Sequence, residues 1–203
     1  MPKDNLSLIA PGMCLLIQHS AVHERRITRR RYADLQYCTG IAPTMKIFEH
    51  RSTFPGTAEQ VMAFYNLPNA PSLLTPPPIF FQIRDDRRTS LTNGELHFTL
   101  WFGPIPFRWV SRHEPAASPT AFIDRMISGP LKVWVHEHAA RDVPGGVEVI
   151  DRIEIEHGSG LTGLFTRLFF DGLPLRFLFI YRTLRTRAAV AAMNRRQTTK
   201  EGA

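Results

Sequence analysis

The chain has 203 residues, 43% of them apolar, with two cysteines and a formal charge of +7. Such a length and composition suit one globular domain with its own core and exclude a disordered chain. No run approaches the roughly 18 apolar residues that a membrane-spanning helix needs, so no integral membrane segment is expected. Cys14 and Cys38 are too few for a disulfide scaffold or a cysteine-rich zinc site, which suits a cytoplasmic protein.

The positive charge is unevenly spread. Residues 1–44 carry a net +3, residues 45–181 carry −1 and residues 182–203 carry +5. A nucleic-acid surface needs its basic side chains on folded structure, so no nucleic-acid partner is expected, and the basic ends read as solvated rather than as anchors to an anionic membrane. Residues 1–44 hold a short apolar run (MCLLI), a basic cluster (RRITRRRY) and no sustained periodicity. They read as a poorly ordered N-terminal extension; the arginines follow the apolar run, the reverse of a secretory signal. One folded domain is expected over residues 45–203.

From Met45 the pattern changes. KIFEHRSTF reads as a strand; PGTAEQVMAFYN reads as a helix with Thr57 as N-cap, Gln60 completing a capping box, and Val61, Phe64 and Tyr65 on one stripe. SLLTPPP predicts a second helical turn stopped by prolines. Six segments of alternating character follow, near 79–86, 94–102, 107–114, 121–128, 131–140 and 147–156, separated by turn signals at Asn93-Gly94, 103–106, 114–119, Gly129-Pro130 and 143–146. Such spacing predicts antiparallel hairpins. The remainder is helical in its apolar spacing, with a break at Gly172-Leu173-Pro174. The fold class is therefore α+β: a curved seven-stranded antiparallel sheet around a long C-terminal helix, with two short helices after the first strand and room between sheet and helix.

Hairpin pairing predicts which side chains share the concave face. A four-residue turn at 103–106 pairs Phe102 with Phe107, placing Leu96, Phe98, Leu100 and Phe102 beside Phe107, Trp109, Ser111 and His113. Pairing Ser111 with Phe122 brings in Asp124 and Met126. The Gly129-Pro130 turn then sets Met126 against Trp134 and Asp124 against His136, and pairing Asp142 with Val147 sets His138 against Asp151. The concave face is thus expected to be apolar apart from two side-by-side His/Asp couples, and Phe177, Ile180, Tyr181 and Leu184 are expected to close it from the helix. Arg182, Arg185 and Arg187 read as a solvated face.

Asp124, His136, His138 and Asp151 have several readings. Buried polar groups are normally paired, so a self-satisfying polar belt is one. A polar end that orients a mostly apolar ligand is another, compatible with the first, and its walls would be Phe98, Leu100, Phe107, Trp109, Met126 and Trp134. A His/Asp pair can also move protons near neutral pH, as a cyclase or dehydratase would need. His-x-His on a strand with Asp151 has the donor types for a metal, but each histidine faces an acid, so neither a metal nor a cofactor is expected. A module that contacts a protein through its basic ends is a further alternative. No nucleophile elbow, phosphate loop, dinucleotide fingerprint or HExxH is present.

The segments FEHRSTFPGTAEQVMAFY, FGPIPFRWVSRHE, FIDRMISGPLKVWVHEHA and VEVIDRIEIE, followed by a long helix containing FIYR, resemble the SRPBCC ligand-binding proteins of the START and birch-pollen-allergen superfamily. The likeness spans about residues 45–187 and is greatest to bacterial members described as polyketide cyclase/dehydrase-like or coenzyme Q-binding START-like. It implies the helix-grip fold and a deep apolar cavity for a small hydrophobic partner such as a lipid, quinone or polyketide. Catalytic residues vary among such proteins, so only cavity-facing positions carry over. Their C-terminal helix is commonly continuous, whereas Gly172-Leu173-Pro174 implies a kink here.

Overall fold

A computed structural model describes residues 45–201; the expected extension over residues 1–44 lies outside them. The first strand, β1 (Lys46–Phe54), runs into α1 (Ala58–Tyr65) and the short α2 (Ala70–Leu73). Six strands follow: β2 (Ile79–Asp86), β3 (Gly94–Phe102), β4 (Ile105–Pro115), β5 (Ala121–Ser128), β6 (Val133–Val143) and β7 (Gly146–Glu156). The chain continues as α3 (Gly160–Phe170) and the 30-residue α4 (Gly172–Glu201). All seven strands form one antiparallel sheet in the order β1-β7-β6-β5-β4-β3-β2. This is the helix-grip arrangement: the two short helices cross from one sheet edge to the other, and the terminal helix packs on the concave side.

Local sequence explains the start of α1. Thr57 is extended at φ −123°, its hydroxyl accepts from the Gln60 N–H, and the Gln60 side chain accepts from the Thr57 N–H. This reciprocal cap satisfies two donors the helix leaves free. Asp142, on β6, accepts a further N–H, that of Ala58, at 2.7 Å. The apolar stripe Val61, Phe64 and Tyr65 is buried beneath it.

Hairpin registers differ from expectation in two places. Phe102 pairs with Ile105, not Phe107, so the turn holds only Gly103 and Pro104. Gly103 at φ +61° lets the tighter turn form, because its left-handed backbone twists with the strands. Ser111 pairs with Met126 rather than Phe122, across an irregularity at Val110/Ser111. Both offsets are even numbers of residues, so every side chain keeps its expected face. The β5–β6 and β6–β7 registers are as expected, with Asp124 opposite His136, His138 opposite Asp151 and Asp142 opposite Val147.

The break in the C-terminal helical region falls at Asp171, with Gly172 in the left-handed region at φ +57°. It sets the rotational phase of α4, whose buried line is Leu175, Phe179, Thr186 and Val190. The expected closing face is therefore corrected in part: Phe177 borders the cavity, whereas Ile180, Tyr181 and Leu184 do not, Ile180 and Leu184 being more than half exposed. Both stripes are apolar, and only the geometry after Gly172 selects between them.

The core divides in two. One cluster joins α1 to the far part of α4 through Phe54, Val61, Phe64, Phe122, Val147 and Val190; the other joins the sheet to α3 and the near part of α4 through Phe98, Trp109, Trp134, Ile153, Phe170 and Phe179. Phe179 is 1% exposed and its ring lies 5.2 to 5.9 Å from those of Phe48, His50 and His136. Phe179→Ala is expected to cost about 3–5 kcal/mol, read as a lowered denaturant midpoint with an unchanged slope.

Candidate functional site

Between the concave face and the helices lies a cavity of about 360 Å³. The sheet supplies Phe81, Leu96, Phe98, Leu100, Trp109 and Trp134 to its wall, the α2–β2 connection supplies Leu74 and Pro76 to Pro78, and the helices supply Phe169, Phe170, Phe177 and Leu178. The aromatic wall is continuous: Phe81 stacks on Phe98 at 4.5 Å, Phe98 on Trp109 at 5.8 Å, and Trp109 meets Trp134 edge-on at 5.4 Å. Against this apolar surface stand Tyr65, Arg88, His113, Asp124, His136, His138 and Arg182.

The strand pleat places the polar group. His136 and His138 alternate with outward residues on β6, so both rings project inward and lie 3.6 Å apart between centroids. Asp151 on β7 is 4% exposed and serves both: His136 Nε2 donates to its Oδ1 at 2.8 Å, and His138 Nδ1 lies 3.0 Å from the same oxygen at an angle too oblique for a full hydrogen bond. Asp124, although opposite His136 in the ladder, instead accepts from the Ser111 hydroxyl. The two expected His/Asp couples are thus corrected to one carboxylate shared by two imidazoles, with the second carboxylate free to face the cavity. An ionised carboxylate at the sheet centre satisfies more of its lone pairs with two donors than with one.

Electrostatics follow from burial. Burial by itself would raise the Asp151 carboxyl, but the hydrogen bond from His136 and the close approach of His138 Nδ1 outweigh it and hold the group well below the usual carboxylate range. Asp124 lacks such donors, and burial pushes it up to about 7, against the opposing charges of Arg182 and Arg88. Burial lowers His136, and with the neighbouring imidazole it takes His138 down to about 3. Burial also pushes the Tyr65 phenol up. Both histidines are therefore neutral at pH 7, and Asp151 carries the negative charge.

Of the residues chosen from sequence, Phe98, Leu100, Trp109, Asp124, Trp134, His136 and His138 border the cavity. Phe107, Met126 and Asp151 do not. Phe107 is enclosed by the rings of Phe102, Phe169 and Phe170; Met126 packs on the core cluster around Trp109; Asp151 stands behind the imidazoles. Four polar groups of the wall, Tyr65, Arg88, His113 and Arg182, were not among the residues chosen from sequence. Arg182, read as solvated, lines the cavity; its guanidinium lies 5.4 Å from the Phe179 ring, and its buried Nε has no hydrogen-bond partner among the described residues. His113 stacks on Phe122 at 5.4 Å and its Nδ1 donates to the Leu91 carbonyl at 3.1 Å. The even alternation of β4 already put His113 inside; nothing local in the sequence marks Arg182.

No protein-family model matches the chain, and no curated protein matches it. Solved structures do. A START superfamily protein from Mycobacterium smegmatis is 8% identical with a TM-score of 0.53, the match covering 72% of this chain and 98% of that one. A nucleoside-diphosphate sugar epimerase from Corynebacterium glutamicum is 23% identical with a TM-score of 0.55, over 74% of this chain and 30% of that longer one. At these identities the likeness is one of fold.

His113 supplies a pH test. Burial, and then the charge of Arg88, lower it from 6.5 to about 4, so the unfolded chain binds the extra proton between those values and stability falls as pH drops through them. Between pH 7 and pH 5 this one group should remove about 2 kcal/mol. His113→Gln, which retains a donor for Leu91, should show a correspondingly smaller loss in denaturant titrations at the two pH values.

Proposed function

We propose that the chain binds one small, mainly apolar molecule in the cavity between sheet and terminal helix, with lipids, quinones and polyketide-like compounds as the chemical classes that suit it. A single observation carries this reading: an aromatic-walled space of about 360 Å³ with a few polar groups gathered on one part of its wall. That volume lies in the range usual for small-molecule pockets, and so does the pattern of much apolar surface with sparse polar groups that orient the ligand.

The polar groups narrow the ligand's shape. Arg182 brings a positive charge to the wall, and Asp124, raised to about 7, can donate as well as accept near neutrality. A molecule with a flat or aliphatic body and one oxygen-bearing end matches both halves of the wall: its body replaces water along Phe98, Trp109 and Trp134, where burial is worth about 25 cal/mol per Å². Its oxygen end meets donors that otherwise face an apolar space. The fold likeness to the START superfamily protein is compatible with a ligand in this place, because a curved sheet gripping a helix leaves a concave space between them.

Native mass spectrometry of freshly purified chain should show one lipophilic molecule per chain, lost from Leu100→Trp, whose larger side chain fills the cavity while circular dichroism stays unchanged. A chain that carries nothing, and whose Leu100→Trp form binds added lipophiles as well as the parent does, would end the reading. Carriage and catalysis separate in the same samples. A ligand returned chemically unchanged supports binding alone; conversion that His136→Ala abolishes while affinity persists supports the cyclase or dehydratase reading.

A further inference from the structure

The geometry points to a divalent transition-metal site formed by Asp124, His136 and His138 at the cavity wall. One potential ligand atom from each of the three lies within 4.8 Å of the others. The positions of the protons give this grouping its meaning. Asp151 accepts from His136 Nε2 and faces His138 Nδ1, which assigns the N–H of each imidazole to the Asp151 side. The second nitrogen of each ring is then a bare lone pair, and the third member is a carboxylate. Two acceptor nitrogens and a carboxylate thus belong to one group of side chains, and the Ser111 hydroxyl is the one donor that reaches Asp124 among the described residues. Such an arrangement calls for a cation between them.

The surroundings have the form of a metal centre's outer shell, in which a carboxylate fixes each histidine's tautomer and ring orientation. Asp151 does this for both imidazoles, and Ser111 holds Asp124. A tetrahedral centre with bonds of about 2.0–2.2 Å brings its ligand atoms to about 3.3–3.6 Å, so the three must draw in by about an ångström, within reach of side-chain rotation. Two imidazole nitrogens and one carboxylate oxygen select Zn²⁺, Fe²⁺, Co²⁺ or Ni²⁺ over Mg²⁺ or Ca²⁺. Three protein ligands leave a position open, and all three residues border the cavity, so the open position faces whatever the cavity holds. Arg182, beside it, favours an anionic oxygen there. The site shares its wall with the ligand proposed above, but its test needs no such ligand, so metal uptake and ligand carriage can fail separately.

Co²⁺ added to the chelator-treated full-length chain should bind at one equivalent per chain by calorimetry and give visible d–d bands of a low-symmetry site. Asp124→Asn and His138→Ala should each weaken binding at least tenfold, and Asp151→Asn, which removes only the outer carboxylate, by roughly 10- to 100-fold. Asp124→Asn preserves shape, so it decides the matter where His138→Ala fails to fold. No saturable uptake, or uptake and spectrum unchanged in Asp124→Asn, would overturn the assignment.

A different observation carries a second inference. α3 and α4 each bury one apolar face and expose another: Leu161, Leu164 and Leu168 are 60–75% exposed, and Leu173, Ile180 and Leu184 are 53–78% exposed. Exposed apolar stripes of this extent on a folded domain mark a contact surface. Residues 160–196 hold seven arginines and one acid, Asp171, which is engaged by Lys46. Helical spacing puts Arg176 and Arg187 on the same side of α4 as Leu173 and Leu184, and both arginines are exposed. No described helix is long and apolar enough to cross a membrane. We propose that these outward stripes of α3 and α4 dock onto an anionic lipid surface, apolar side chains inserted and arginines at the headgroups.

The full chain should co-sediment with phosphatidylcholine vesicles containing phosphatidylglycerol, less so as salt rises, and weakly with phosphatidylcholine alone. The pair Leu161→Glu/Leu168→Glu, exposed and so expected to leave the melting temperature unchanged, should reduce binding at least tenfold. Vesicle binding unchanged in that pair would overturn the proposal. So would a chain that ignores vesicles and instead forms a dimer abolished by the same substitutions.

Discussion

One buried carboxylate organises the interior. Asp151 lies on β7, between β1 and β6, and is 4% exposed. A charge there without donors would cost several kcal/mol, so the fold is tied to the register that sets His138 opposite it and His136 within reach. The same bond fixes how the imidazoles are protonated. Two neutral rings anchored from behind present their remaining nitrogens away from Asp151, which makes a structural hydrogen bond the determinant of what the cavity can recognise.

The cavity follows from how the apolar residues are shared out. One cluster gathers around α1 and the far part of α4, the other around α3 and the near part of α4. Tyr65, Leu74 and Phe122 from the first and Phe98, Trp109 and Trp134 from the second border the same space. Leu or Phe at positions 124, 136 and 138 would let the two clusters merge, as dense packing favours. Polar groups there keep them apart, and the curvature of the sheet keeps the helix from closing the gap.

Fold and chemistry separate clearly in this protein. The helix-grip frame is shared with solved structures at 8% and 23% identity, a level at which the backbone arrangement persists while wall residues are free to differ. The chemistry of this chain lies in the set Asp124, His136, His138, Asp151 and Arg182, and functional argument belongs to those residues rather than to the frame.

Much of this was legible in the residues themselves. Alternation along β3 to β7 fixes the inward face, and because the pleat repeats every two residues, mistaken hairpin pairings of two and four residues left every side chain on its expected side. The Thr57–Gln60 cap and the break before Leu173 were likewise readable, since each depends on neighbours in sequence. Three things were decided only by the tertiary structure. Asp151, rather than Asp124, binds His136 because a side chain reaches diagonally as well as directly across a ladder. The outward stripe of α3 and α4 is as apolar as the inward one, so the phase after Gly172, not composition, chose which was buried. Arg182 reads like any helical arginine until Phe179 beside it is set under the sheet. Local periodicity records which face a residue occupies; which partner it meets there depends on contacts between segments far apart in the chain.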